Sequence, residues 1–144
     1  MTESIRRELT LPQPPDEVWQ ALTDSAVLAE WMYPNDFEPR VGHQFTFRVP
    51  ANPQADFDGT VRCQVLACAP PGELAYSWTA GAVADTRVDY RLRPDGSGTA
   101  LHFEHSGFDL SQPWTEQALH GAEYGWNMML GRLEKVVSGA ETPG

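Results

Sequence analysis

The sequence predicts an α+β domain in which one long helix lies against one antiparallel sheet, and three observations carry that expectation. From Ser111 to Ser138 the apolar residues Leu119, Ala122, Trp126, Met129, Leu130, Leu133 and Val137 recur at spacings of three and four, which puts them on one helix face. The middle of the chain alternates apolar and polar residues, the two-residue period of half-buried strands. The breaks between those strands are too short for crossovers, so neighbours run antiparallel. A helix over this range runs roughly 40 Å at ~1.5 Å per residue, enough to cross a small domain. A curved sheet closing over such a helix tends to leave an enclosed space, so a pocket is expected.

Each element has its own local reason. Ile5 to Leu11 alternates, with Arg7 as the exception on the apolar side, and reads as a first strand. Pro12, Pro14 and Pro15 stop it, and Asp16 and Glu17 give the acidic first turn of a short helix carrying Val18, Trp19 and Leu22. Ser25 is the expected cap of a second short helix with Leu28, Trp31 and Met32, ended by Pro34 and Asn35. Gly42 to Val49 is a strand with Phe45, Phe47 and Val49 on one face. Pro50 to Gly59 reads as a loop. Its Asp56-Phe57-Asp58-Gly59 stretch has a faint calcium-loop look but lacks the downstream Glu, so it is a turn.

Four more strands follow at Thr60–Ala69, Glu73–Thr79, Asp85–Arg93 and Thr99–Ser106, joined by turn-forming Pro70-Pro71-Gly72, Thr79-Ala80-Gly81 and Asp95-Gly96-Ser97-Gly98. Alternation points Val61, Cys63 and Val65 inward, then Leu74, Tyr76 and Trp78, then Val88, Tyr90 and Leu92, then Leu101, Phe103 and His105. Arg62, Gln64, Ser77, Arg87, Asp89, Arg91, His102 and Glu104 face water. Gly107 to Leu110 is expected to turn the chain, Ser111 to cap the long helix and Gly139 to end it. One domain over residues 1–139 is expected, with 140–144 a frayed tail.

Composition excludes several classes. At 144 residues the chain can bury about 70% of the surface its unfolded form exposes, without disulfide or metal staples. Its net charge of −10, with no stripe of Lys and Arg, disfavours nucleic acid and anionic membranes. No signal peptide or spanning segment is seen, so a cytoplasmic protein is expected. Cys63 and Cys68 lie in one predicted strand, on opposite faces and about 16 Å apart if it is regular, so they are expected to be reduced thiols rather than a redox pair.

The order strand, two short helices, five strands, long helix resembles the helix-grip architecture of the SRPBCC superfamily, which includes START-like and Bet v 1-like proteins. Pro15-x-x-Val18-Trp19, Leu28-x-x-Trp31, the run Val65 to Trp78 with Pro70-Pro71-x-x-Leu74-x-Tyr76, His105-Ser106-Gly107-Phe108, and Gly125-Trp126 with Leu130-x-x-Leu133 resemble the branch of activators of 90-kDa heat-shock-protein ATPase homologues. The resemblance implies a curved six-stranded sheet around the C-terminal helix. It offers three roles: a carrier or sensor of apolar ligands, a polyketide cyclase or hydratase-like enzyme, or a chaperone accessory connected with the stress response. The namesake's chaperone contacts also use a separate N-terminal domain, which is not expected within these 144 residues.

His105 is the most interesting ionisable group, since it shares the inner face with Leu101 and Phe103. It can be a general base, or it can donate to a backbone carbonyl and order the turn at Gly107; the lack of an inward carboxylate favours the second. The aromatics Trp31, Phe45, Phe47, Trp78, Tyr90, Phe103 and Trp126, with Met129 beside them, either line a cavity or pack dry. Tyr76, Tyr90 and His105 favour the pocket, because buried polar groups need partners that a ligand or water can supply. His102 and Glu104 are two metal-type ligands without a third, and no nucleotide fingerprint is present, so no metal or cofactor is expected. Gly125 is expected to let the long helix approach the sheet or bend, while Tyr124 and Met128 form a small exposed patch if it does not.

The leading expectation is thus a small-molecule-binding protein, monomeric or weakly dimeric, holding an apolar or aromatic ligand between helix and sheet. Trp31, Phe47, Trp78, Phe103 and Trp126 would stack on it, and Tyr76, Tyr90 and His105 would anchor it. The alternatives are an enzyme using His105 and a protein-binding chaperone partner.

Overall fold

The computed structural model describes residues 2–49, 59–80, 83–109 and 115–138. It comprises β1 (Thr2–Leu11), α1 (Pro15–Thr23), α2 (Ser25–Trp31), β2 (Gln44–Arg48), β3 (Thr60–Ala69), β4 (Glu73–Ala80), β5 (Val83–Asp95), β6 (Gly98–Asp109) and α3 (Thr115–Ser138). The strands form one six-stranded sheet in the order β1-β6-β5-β4-β3-β2, every pair antiparallel. This is the curved α+β helix-grip fold expected from the sequence. The expected turns at residues 50–58 and Gly81, the caps Ser111 and Gly139, and the tail 140–144 lie outside the described residues.

The short helices form where the local chemistry dictates. Pro15 opens α1 with Asp16 and Glu17 in its first turn, and Val18, Ala21 and Leu22 are buried. The cap of α2 is Asp24 rather than Ser25. The Asp24 carboxylate accepts from the amides of Ala26 (3.0 Å) and Val27 (3.3 Å), and a charged acceptor at a helix N-terminus also meets the macrodipole favourably. Ser25 is already helical and turns its hydroxyl to Asn35 Oδ1 at 2.8 Å.

Register shifts interrupt three strand pairs; one lies between Trp78 and Ala80 of β4, where β5 carries an extra residue beside Asp85 at φ +57, and the other two change the expected placement of side chains. Between Val65 and Ala67 the register of β3 against β4 shifts by one, so Leu66 stands out into solvent and Cys68 pairs with Leu74 on the inner face. Cys63 and Cys68 therefore share a face instead of opposing each other, and Cys68 is half-buried against the core. The second shift opposes Glu3 and Ser4 of β1 with Phe108 and Ser106, leaving Gly107 as the extra residue at φ +96. The chain does not turn there; β6 runs on to Asp109, and Phe108 returns to the inner face, buried.

At the β5–β6 hairpin the loop is Gly96-Ser97, with positive φ at Gly96 alone, the pattern of a glycine-first two-residue turn. Gly98 beyond it has no room for a side chain, since a Cβ there would overlap the Leu11 carbonyl.

Helix α3 buries Leu119, Trp126, Met129, Leu130 and Leu133 against the sheet and the short helices. Arg7, the exception in its strand, faces α3 and binds Asn127 Oδ1 at 2.9 Å and Glu123 at 3.7 Å. Gly121, Gly125 and Gly131 all face open space: a Cβ at any of them would meet nothing within 4 Å. Gly125 is therefore not a close-approach residue. Tyr124 and Met128 are 70% and 40% exposed, the exposed patch of the two alternatives. No helix among the described residues is long and apolar enough to cross a membrane.

Candidate functional site

The inner face of the sheet sets side chains by register. Tyr76 of β4, Val88 of β5 and His105 of β6 stand in one row across three strands, and Leu74, Tyr90 and Phe103 form the next. Aromatic side chains from these rows, with Trp78 from the row of Thr86 and Trp126 from α3, close into a ring. Centroid distances are 6.5 Å from Tyr76 to Trp78, 5.3 Å from Trp78 to Trp126, 4.5 Å from Trp126 to Phe103, 5.5 Å from Phe103 to Tyr90 and 5.9 Å from Tyr90 back to Tyr76. The Tyr76–Trp78 pair is stacked and the other four are tilted, and favourable aromatic pairs are each worth about 0.5–1.5 kcal/mol beyond area burial. Phe45 and Phe47 of β2 extend the ring on one side, touching Tyr76 at 5.2 and 6.3 Å, and Trp31 of α2 meets Tyr90 edge-on at 6.5 Å.

The partners that Tyr76, Tyr90 and His105 require are found inside the chain. Tyr76 and Tyr90 share a hydrogen bond at 2.9 Å, and the Tyr76 hydroxyl also reaches the Met32 sulfur at 4.0 Å. Burial pushes both phenols up, well away from neutral pH, so both stay protonated. The Trp126 indole N–H donates to His105 Nδ1 at 2.9 Å. That leaves the imidazole proton on Nε2, which lies 2.7 Å from Thr86 Oγ1, and Thr86 in turn donates to the Trp78 carbonyl at 2.7 Å. Donors and acceptors run in one direction from α3 through β6 and β5 to β4, so the tautomer is set by its neighbours. Trp31 donates separately to the Ala21 carbonyl at 2.9 Å. His105 thus reaches a backbone carbonyl through one intervening hydroxyl.

This network decides what the imidazole can do chemically. Burial lowers the His105 pKa from 6.5 to about 3, and both ring nitrogens are occupied. A general base needs a free lone pair within reach of substrate, and Nδ1 has given its own to Trp126. The thiols are equally quiet: burial raises the pKa of Cys63 far above its ordinary value and raises that of Cys68 as well, which keeps both protonated. On the outer face Glu104 pairs with Arg6 at 3.1 Å and His102 faces Glu8 at 3.2 Å, so the nominated pair His102 and Glu104 serves two separate contacts.

Of the ten residues nominated from the sequence, Trp31, Phe45, Phe47, Tyr76, Tyr90, Phe103, His105, Trp126 and Met129 are each 7% exposed or less. Trp78 alone is half-buried, although it contacts Phe47 at 5.7 Å, His105 at 5.5 Å and Trp126. Three residues of this interior escaped sequence reasoning. Thr86 sits on the inner face in step with Val88 and Tyr90, and only its polarity kept it off the list. Phe108, 4.5 Å from His105, was hidden by the Gly107 bulge. Phe37, stacked edge-on against Phe45 at 5.0 Å, sits outside any periodic segment.

An aromatic-lined helix-grip interior, tied from helix to sheet by a neutral histidine, defines the class of domain. Residues 12–138 match the family described as activator of Hsp90 ATPase homolog 1-like protein, and the chain belongs to that family. Among solved structures it is similar to protein MLL2253 from Mesorhizobium loti, with 32% identity over 96% of this chain and 99% of the other, at a TM-score of 0.82. It is also similar to CalU16 from Micromonospora echinospora, with 30% identity over 95% of this chain and 76% of the other, at a TM-score of 0.72. DynU16, a protein in the dynemicin biosynthetic locus, shares the fold at 23% identity over 94% of this chain and 47% of the other, with a TM-score of 0.75. No curated protein matches the chain.

Proposed function

We propose that this protein is a non-catalytic binding domain that receives a small, largely apolar and aromatic molecule against Trp78, between α3 and the sheet. The observation that carries the reading is the partial exposure of Trp78, the one ring of the inner aromatic set that keeps solvent contact while bridging β2, β6 and α3. A flat apolar surface held rigid by packed neighbours is what stacking on a planar ligand needs. In this reading Phe47 and Trp126 flank the ligand. Trp31, Phe45, Phe103 and Met129 hold the wall behind them. Tyr76, Tyr90 and His105 shape that wall through their own hydrogen bonds. The commitment of both His105 nitrogens favours binding over acid–base catalysis. The likeness to a protein from a biosynthetic locus is in keeping with a small-molecule ligand.

The test is an amide NMR titration against a mixed panel of lipids, flavonoids, polyketides and other aromatic metabolites. Saturable shifts at Trp78, Phe47 and Trp126 that vanish in Trp78→Ala are expected. Shifts that survive Trp78→Ala unchanged, or silence across the panel, would remove the ligand from this site. Turnover that follows an imidazole titration and disappears in His105→Gln would overturn the non-catalytic part.

A further inference from the structure

The sheet's outer face gathers most of the basic residues of an acidic chain, interspersed with Glu8, Glu73, Asp89 and Glu104. Arg6, Arg48, Arg62, Arg87, Arg91 and Arg93 stand on it by register, six of the ten basic residues in a chain of net charge −10. Two of these acidic groups are paired with arginines, Glu104 with Arg6 and Asp89 with Arg87, while the exposed Glu8 carboxylate lies 3.2 Å from the His102 imidazole. Arg91 and Arg93 make no hydrogen bond or ion pair with any described residue, although Glu73 is the cross-strand neighbour of Arg91.

These two arginines border a groove. Thr10, Ala100 and Arg93 lie in one row across β1, β6 and β5, and Glu8, His102 and Arg91 lie in the next. Ala100 is the short side chain among long ones, and above it opens a groove of about 440 Å³ lined by these six residues together with the strand at Leu9 and Leu101. Arg91 and Arg93 are two apart on one strand, about 7 Å between Cα atoms, and both are exposed. Their guanidinium forks can converge over Ala100 on one oxyanion, and planar forks favour bidentate contact with carboxylate or phosphate oxygens. The Thr10 hydroxyl stands across the groove as a further donor. Such a site has to work against the repulsion of a strongly acidic molecule, which unpaired arginines held side by side are suited to do.

We propose that this groove is a second binding site, on the face of the sheet opposite Trp78, for a small molecule bearing a phosphate or carboxylate group. It does not depend on the assignment of the inner face. The test is titration of the full chain with inorganic pyrophosphate, and separately with citrate, at low ionic strength, followed by amide NMR and calorimetry with chloride as the control. Saturable shifts at Thr10, Arg91, Arg93, Ala100 and His102 with one of the two anions are expected, and the tighter anion gives the ligand class. The double variant Arg91→Ala/Arg93→Ala should weaken binding about tenfold or more. Ala100→Leu, which fills the groove without changing charge, should do the same, while Arg48→Ala at the far end of the sheet should leave affinity unchanged. The proposal fails if neither anion saturates, if Ala100→Leu binds like the parent, or if Arg48→Ala weakens binding as much as the double variant.

Discussion

Trp126 donates its indole N–H to Nδ1 of His105 across 2.9 Å, and this bond ties the long helix to the sheet inside a buried, aromatic-rich interior. Trp126→Phe keeps an aromatic ring but leaves Nδ1 buried without a donor. A buried acceptor stripped of its partner costs about 1–3 kcal/mol, in addition to the loss of ring volume. Urea denaturation should show that destabilisation. In a double-mutant cycle with His105→Ala, the second substitution should cost less than it does alone, because the two side chains act as a unit.

The same imidazole makes stability depend on pH. An unfolded histidine takes up a proton near 6.5, whereas burial delays that of His105 to about 3. Between those values the unfolded state binds more protons than the folded state, so stability falls as pH drops through that window. Above pH 6.5 neither state is protonated and the penalty is absent. At its fullest the penalty is on the order of a few kcal/mol. His105→Gln should start from lower stability at neutral pH and lose less between pH 6.5 and 5, where few carboxylates titrate. Thermal melts of both proteins over that range compare the slopes directly.

Gly98→Ala should destabilise strongly for so small a change. The new methyl group would run into the Leu11 carbonyl, a backbone atom that cannot swing aside without moving the end of β1. Overpacking of this kind costs about 1–3 kcal/mol. The midpoint of chemical denaturation should drop, and amide exchange at Leu11 and Thr99, paired across β1 and β6, should speed up.

The helix glycines should respond in the opposite direction. Gly121 and Gly125 face open space, with no positive φ to protect them. Alanine at either should stabilise by about 0.4–1 kcal/mol, through a less flexible unfolded chain and better helix propensity. A calorimetric melt of Gly121→Ala checks this. A fall in stability there would mean that the helix needs its glycines for a reason other than packing.

Much of this architecture was legible because period-two alternation is a strong signal when one face is wet. It located the strands within a few residues and placed Tyr76, Tyr90, Phe103 and His105 on one face. What it could not register was an extra residue in a strand. At Gly107 the glycine hinted at a special backbone position, and turn chemistry was the wrong inference from it. At Leu66 nothing in the side chain marks a bulge, so Cys68 was assigned to the wrong face. The capping error at Ser25 has a simpler cause: Asp24 and Ser25 are both good caps, and the charged one took the position. The His105 network was illegible for another reason. Its members Thr86, His105 and Trp126 are distant in sequence and meet only through sheet register.

Strand β1 finds its partner late. Thr2 pairs with Asp109 and Leu11 with Thr99, so the first of these strands to leave the ribosome must wait for the last one before its backbone can be bonded. Contacts so distant along the chain slow folding, because loop-closure entropy is met before they form. During that wait the segment is an unpaired edge of the kind that recruits neighbouring chains. Its own sequence, with Arg6, Arg7 and Glu8 set among the apolar residues, keeps charge on both of its faces. The arginine that breaks the alternation of the finished strand is therefore also a safeguard for the nascent one.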